Sequence, residues 1–166
     1  MWNAGADWTG QFSSQVKFNV IVTDSNAPSG MVQIPAGNFQ MGNALSASGD
    51  GSSSELPVHT VYVSAFYMDR YEVTKQLWDD VRAWGLSNGY TDLPVGSGKA
   101  ASHPVQSITW YSMVKWCNAR SQKDGLTPVY CTNDAQTVIY KTGNWDVTNA
   151  QVKWSANGYR LPTEAE

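Results

Sequence analysis

This chain is short of charge. Asp, Glu, Lys and Arg make up 15% of its 166 residues, against the usual ~25%. The net charge is −3. With no basic excess, the sequence lacks the electrostatic footprint of a nucleic-acid binder. It also lacks any apolar run approaching the ~20 residues that cross a bilayer. Its start, Met1-Trp2-Asn3-Ala4, has neither the basic nor the apolar stretch of a signal peptide. Cysteine is scarce: Cys117 and Cys131 are too few for a disulfide scaffold. They form one bridge or, as the favoured reading, stay two separate thiols, with Cys117 on a buried helix face. Histidine is scarce too. A zinc or iron site needs three or four ligands at suitable spacing, and neither His-x-x-x-His nor Cys-x-x-Cys occurs. His59 and His103 therefore read as hydrogen-bonded structural residues. No phosphate loop, nucleophile elbow or Ser/His/Asp order is visible.

What is abundant is aromatic surface. Eight tryptophans offer large buried areas, each with one N–H donor, and suit irregular cores or binding surfaces. Hydrophobic residues at 42% fit a globular chain, which at this length can bury roughly 70% of its extended surface.

Along the chain, residues 1–24 read as strand, turn, strand. Residues 15–22 alternate polar with apolar at period two. A lone hairpin is marginal in water. These strands are read as the end of an upstream β-sandwich, the alternative being that they join the main sheet. Residues 25–30 form a Pro/Gly-containing linker. Residues 31–42 give two short strands around a Pro-Ala-Gly turn, and residues 43–55 a Ser/Gly-rich surface loop. A strand within 57–66 runs on through Val73 into a helix capped by Thr74. Leu77, Val81, Trp84 and Trp78 form its apolar stripe, with Asp79, Asp80 and Arg82 outward and Gly85 at its end. Residues 103–108 read as a strand. Thr109 caps a second helix whose buried face is Trp110, Met113, Val114 and Cys117. Short strands are expected at 128–131, 137–141 and 151–154. The pattern is α+β, with two helices set among short strands and long loops.

The last stretch, Gly158-Tyr159-Arg160-Leu161-Pro162-Thr163-Glu164-Ala165-Glu166, contains a capping box. Thr163 and Glu166 can satisfy each other's amides, as at a helix start. No helix follows to stabilise the box, so residues 158–166 are expected to be poorly tied down, and the domain incomplete. Asp69, Arg70 and Glu72 form a charged cluster at the strand–helix junction. Its expected role is structural, a buried carboxylate paired with Arg160 or with backbone donors. Asp50, Glu55, Asn133 and Asp134 carry calcium-type oxygens without EF-hand spacing, and read as solvated loop residues.

Five stretches taken together resemble the formylglycine-generating enzyme, or sulfatase-modifying factor, family. They are Met-Val-Gln-Ile-Pro-Ala-Gly-Asn-Phe-Gln-Met-Gly over residues 31–42, Glu-Leu-Pro-Val-His-Thr-Val over 55–61, and Phe-Tyr-Met-Asp-Arg-Tyr-Glu-Val-Thr over 66–74. The fourth is His103-Pro104-Val105 with Trp110, and the fifth is residues 158–166. The resemblance covers residues 31–166 and implies an elaborated C-type-lectin-like α+β fold. It implies that this stretch is the N-terminal half of the domain, with the Arg160-Leu161-Pro162-Thr163-Glu164 motif near the domain's middle. Active members of the family oxidise a sulfatase cysteine to formylglycine with a copper-binding cysteine pair, and members carry calcium. Both ligand sets belong to the half that nothing in this chain matches. The chain by itself is thus expected to hold no catalytic residue, metal or cofactor. Cys117 resembles a cysteine that in some members forms a structural disulfide with a partner in that other half. Residues 1–24 resemble the closing strands of an immunoglobulin- or fibronectin-like module, as found upstream of such domains in exported bacterial proteins. That implies a periplasmic or extracellular parent. The partner implied is a sulfatase or, if the parent is a non-enzymatic lectin-like binding module, another protein or peptide ligand.

Overall fold

The computed structural model describes residues 27–43 and 55–166. The expected hairpin at 1–24, most of the 43–55 loop and Asp50 lie outside these residues. The order of elements is β1 (Met31–Ile34), β2 (Gly37–Met41), β3 (His59–Val63), β4 (Phe66–Asp69), α1 (Lys75–Leu86), α2 (Trp110–Lys123) and a single 3-10 turn at Asn149–Gln151.

Residues 31–42 do form two strands, but they do not pair with each other. β2 pairs antiparallel with β3, and β1 pairs antiparallel with β4, so one two-stranded ribbon is nested inside the other along the chain. Pro35 has no N–H to give to a ladder and marks the break between them. β4 ends at Asp69 rather than continuing to Val73. There Arg70 N–H bonds Gly30 O at 3.0 Å, and the chain turns toward α1.

Both helix caps form as the sequence predicts. Thr74 Oγ1 accepts from Leu77 N at 3.2 Å, and Thr109 Oγ1 accepts from Ser112 N at 3.3 Å. α1 buries Trp78, Val81 and Gly85. Gly85 does not end the helix. It sits in the last turn, where an added Cβ would come within 3.2 Å of Leu93 and 3.3 Å of Tyr90, so its bareness lets the following loop close over the helix. The turn away is made at Gly89, whose φ of +91° favours glycine.

α2 is the centre of the molecule. Ser112 and residues 114–121 are all buried, because α1 covers one side and the loops from residue 126 onward cover the other. The helices meet through Trp78 and Trp116, stacked with ring centroids 5.5 Å apart and planes 5° from parallel. Both indole N–H groups are satisfied, Trp116 by Trp78 O and Trp78 by Pro94 O. Trp110, expected on the buried face, is instead 44% exposed. It opens the first turn of α2, ahead of the buried run, and packs edge-on against Tyr111 at 5.7 Å.

The strands expected after α2 shrink to isolated bridges, Tyr130 with Val152 and Cys131 with Ile139. Part of 151–154 is the 3-10 turn. The segment 103–108 likewise makes only single bridges. Asn118 ties the first group to α2. From the buried face of α2 its Oδ1 accepts from the amides of Val129 at 3.1 Å and Tyr130 at 3.0 Å. Its Nδ2 donates to Tyr130 O at 2.8 Å and Tyr140 O at 3.0 Å. These bonds add to the few that the segments make with one another, such as Tyr140 N to Tyr130 O and Cys131 N to Gln151 O.

Candidate functional site

A groove of about 1290 Å³ runs between β4 with the segment after it, residues 104–108, the face of α2 and residues 156–162. α2 contributes Met113, Trp116, Cys117 and Arg120, a set at helical spacing. Met31, Phe66, Met68, Val73, Val105, Ile108 and Leu161 add to an apolar lining.

Beneath this lining lies one ion pair. Arg120 Nη1 meets Asp69 Oδ2 at 2.5 Å and Nη2 meets Oδ1 at 2.9 Å, a two-pronged bond from α2 to β4. The guanidinium also lies over the Tyr159 ring at 3.9 Å and over Trp116 at 5.6 Å. Burial works against the Arg120 charge, but the bonds and charge of Asp69 outweigh it, and the pKa is raised. The partner of Asp69 is Arg120 and not Arg160. Arg160 lies toward the rim, over the Trp154 ring at 5.4 Å, and both its terminal nitrogens bond Glu166 at 2.5 Å. Glu72 stands exposed at the groove.

The expected looseness of residues 158–166 is overturned. Tyr159 N bonds Ser121 Oγ at 2.8 Å, and Leu161 N bonds the Tyr130 hydroxyl at 3.0 Å. The capping box closes without a helix, Thr163 N to Glu166 Oε2 at 2.9 Å and Glu166 N to Thr163 Oγ1 at 3.3 Å. Hydrogen bonds from Arg160 are the main reason the Glu166 carboxyl is held down to about 2. Pro162, Thr163 and Glu164 stay exposed.

The two cysteines are buried free thiols. Burial pushes the Cys117 thiol up to about 12, with Arg120 opposing and Asp69 reinforcing the shift. Burial also raises Cys131. Only Cys117 lines the groove. Copper of the thiolate-bound kind needs two deprotonated sulfurs converging on one point, whereas burial raises both thiols and one alone lines the groove. Two of the calcium-type residues already spend an oxygen inside the protein. Asn133 Oδ1 is taken by the amides of Thr137 and Val138, and Asp134 Oδ1 accepts from Gln151. His59 Nδ1 is 3.0 Å from Pro57 O, and His103 is tied through its backbone to Lys75 and Ala100. Among the described residues no group of three or more His, Cys, Asp or Glu is placed to hold a metal ion. No described helix is long and apolar enough to cross a membrane.

Sequence reasoning missed Arg120, Tyr159 and Asn118. The signal for Arg120 was present: it follows Met113, Trp116 and Cys117 in helical phase. Asn118 gives no such signal, since its partners lie 11 to 22 residues away.

Comparison with known proteins places this architecture. The sulfatase-modifying factor enzyme 1-like domain family matches residues 17–166. The chain is 40% identical over 121 residues to Chaperone protein LppX of Paenibacillus barcinonensis, covering 69% of this chain and 39% of that one. It is 29% identical over 149 residues to the formylglycine-generating enzyme of Streptomyces coelicolor, covering 82% and 45%. It is also 29% identical over 150 residues to the inactive C-alpha-formylglycine-generating enzyme 2 of Bos taurus, covering 82% and 46%. The crystal structure of CarF superposes with a TM-score of 0.61 at 25% identity, over 82% of this chain and 53% of that one. The chain thus spans less than half the length of these curated relatives.

Proposed function

The chain belongs to the sulfatase-modifying factor enzyme 1-like domain family, and from that premise we propose that residues 31–166 are the N-terminal, non-catalytic half of a formylglycine-generating-enzyme-like domain. One observation carries this reading: the thiol that faces the groove, Cys117, is buried and pushed up to about 12, while Cys131 does not line the groove. A thiol held protonated is neither a ready nucleophile nor a soft metal ligand. On this reading the apolar groove receives polypeptide that follows Glu166 in the parent, and any copper or calcium ligands lie there. The short share of each relative that the chain spans supports it. The test is direct. Purified chain, copper, oxygen and a cysteine-containing sulfatase peptide are incubated and the aldehyde is assayed. Product above a no-protein control overturns the reading.

A second reading has its own support. The 40% relative is named a chaperone and another relative is named inactive, which favours a non-enzymatic module that uses this fold to bind a protein or peptide. The next codons of the parent gene separate the two. A cysteine pair in the final strands makes the parent an oxidase, and its absence makes it a binder. An exported parent, with residues 1–24 from an upstream immunoglobulin- or fibronectin-like module and 25–30 as linker, is part of the same proposal. Limited proteolysis should cut within residues 24–30. Protection there, with cutting confined to 43–55, would make the N-terminal segment integral to the domain.

A further inference from the structure

Away from the groove, α2 and the loop before the 3-10 turn leave an aromatic platform in solvent. Trp110 is 44% and Trp145 is 46% exposed. They are joined through one chain of contacts: the Trp110 ring meets the Tyr111 ring at 5.7 Å, the Tyr111 hydroxyl donates to Asp146 Oδ1 at 2.7 Å, and Asp146 follows Trp145. None of the four lines the groove.

The Trp145 indole is fixed. Its N–H bonds Gln151 Oε1 at 3.0 Å, and Gln151 is itself held by Thr148 N and by Asp134. With that N–H spent inside the protein, the part of the indole left exposed is carbon and π surface. A π face with a carboxylate beside it attracts cations. The molecule shows the same chemistry internally. The exposed Trp154 holds Arg160 at 5.4 Å, and Arg120 covers Tyr159. Among the described residues, Trp110, Tyr111 and Trp145 carry no such cation, although the Asp146 carboxylate meets the Tyr111 hydroxyl. We propose that the Trp110–Tyr111–Asp146–Trp145 platform is a docking site for a basic segment of a partner protein, taking an arginine or lysine head over the indoles against Asp146. A neutral sugar is the weaker fit, because stacking on such a face is ordinarily completed by free polar edges, and the Trp145 edge is occupied.

The experiment titrates the full chain with hexa-arginine, hexa-glutamate and a neutral cello-oligosaccharide, following calorimetry and tryptophan fluorescence. Saturable binding of hexa-arginine is expected, weakened tenfold or more by Trp110→Ala and by Asp146→Asn. Asp80→Asn, which removes an equal charge from an exposed site on α1, should change it less than twofold, as should Trp154→Ala. Thermal melts establish that each variant is folded. Should Trp110→Ala unfold, Trp110→Leu replaces it, keeping bulk and removing the π face. The proposal is overturned if hexa-arginine does not bind, if Asp80→Asn weakens it as much as Asp146→Asn, or if the oligosaccharide binds the platform in its place.

Discussion

Among the described residues, every buried apolar side chain lies between Trp78 and Val152, while β2 and β3 show most of their residues to solvent. The body of helices and loops closes its own core. The ribbons do not: β2 meets β3 and β1 meets β4, each as a two-stranded sheet of marginal independent strength. Family membership and a similar α+β composition would not have separated the two regions. What separates them is how the backbone is satisfied. In the body, short stretches of backbone pairing are joined by a buried side chain of α2, Asn118. In the ribbons the facing strand is the main partner. The joint between the regions is the Asp69–Arg120 pair, reaching from β4 to α2.

The sharpest way to break the body is Asn118→Ala. Four hydrogen bonds to buried or half-buried backbone vanish at once, and the expected loss is about 3 kcal/mol or more, read as a fall in the urea midpoint. A smaller loss would mean that water replaces the side chain. Next comes the joint. Asp69→Ala leaves a guanidinium buried without its partner, for a loss of about 3 kcal/mol. Adding Arg120→Met should recover part of it, and a double variant no better than the single would show that the pair does not act as a pair. Thr109→Ala removes one helix cap and should cost about 1 kcal/mol. The ribbons answer with the smallest effect. Tyr62, 64% exposed, can become Ala within about 0.5 kcal/mol. A large loss there would erase the contrast between the two regions.

Acid sharpens the comparison locally. Glu166 is held down to about 2 in the folded chain, against ~4.3 for a free glutamate. Its contribution is present above the unfolded value and is lost as pH falls toward 2. Amide exchange protection across 159–166 should therefore fade over that window. In Glu166→Gln the fading should be absent and protection lower at neutral pH. Unchanged behaviour in that variant would assign the tethering to Tyr159 and Leu161 alone.

Much of this was legible in the chain. Thr74 and Thr109 announce the two helices, because a cap needs only a hydroxyl three residues before an amide. The Pro-Ala-Gly turn announces β1 and β2, and alternation within 57–66 announces β3, although β3 and β4 read as one continuous strand. Their pairing was not legible, since β1 and β4 are brought together across more than thirty residues of sequence. The strands expected at 128–131 and 137–141 shorten to single bridges. Apolar alternation shows which side chains turn inward, but not how far a ladder extends or which buried amide joins it. At the site, the acid at the end of β4 was legible, yet its partner was not. Arg160 and Arg120 are equally arginine in sequence, and only the position of α2 decides between them.

The separations along the chain carry a kinetic consequence. Asn118 binds partners 11 to 22 residues away, whereas Arg120 reaches across 51. Short loops close at lower entropic cost than long ones, so the loops should gather around α2 before β4 docks. Substitution at Asn118 should then chiefly slow refolding, and substitution at Asp69 chiefly hasten unfolding. Opposite limbs of the chevron would move, and the same limb moving in both would place the two events in one step.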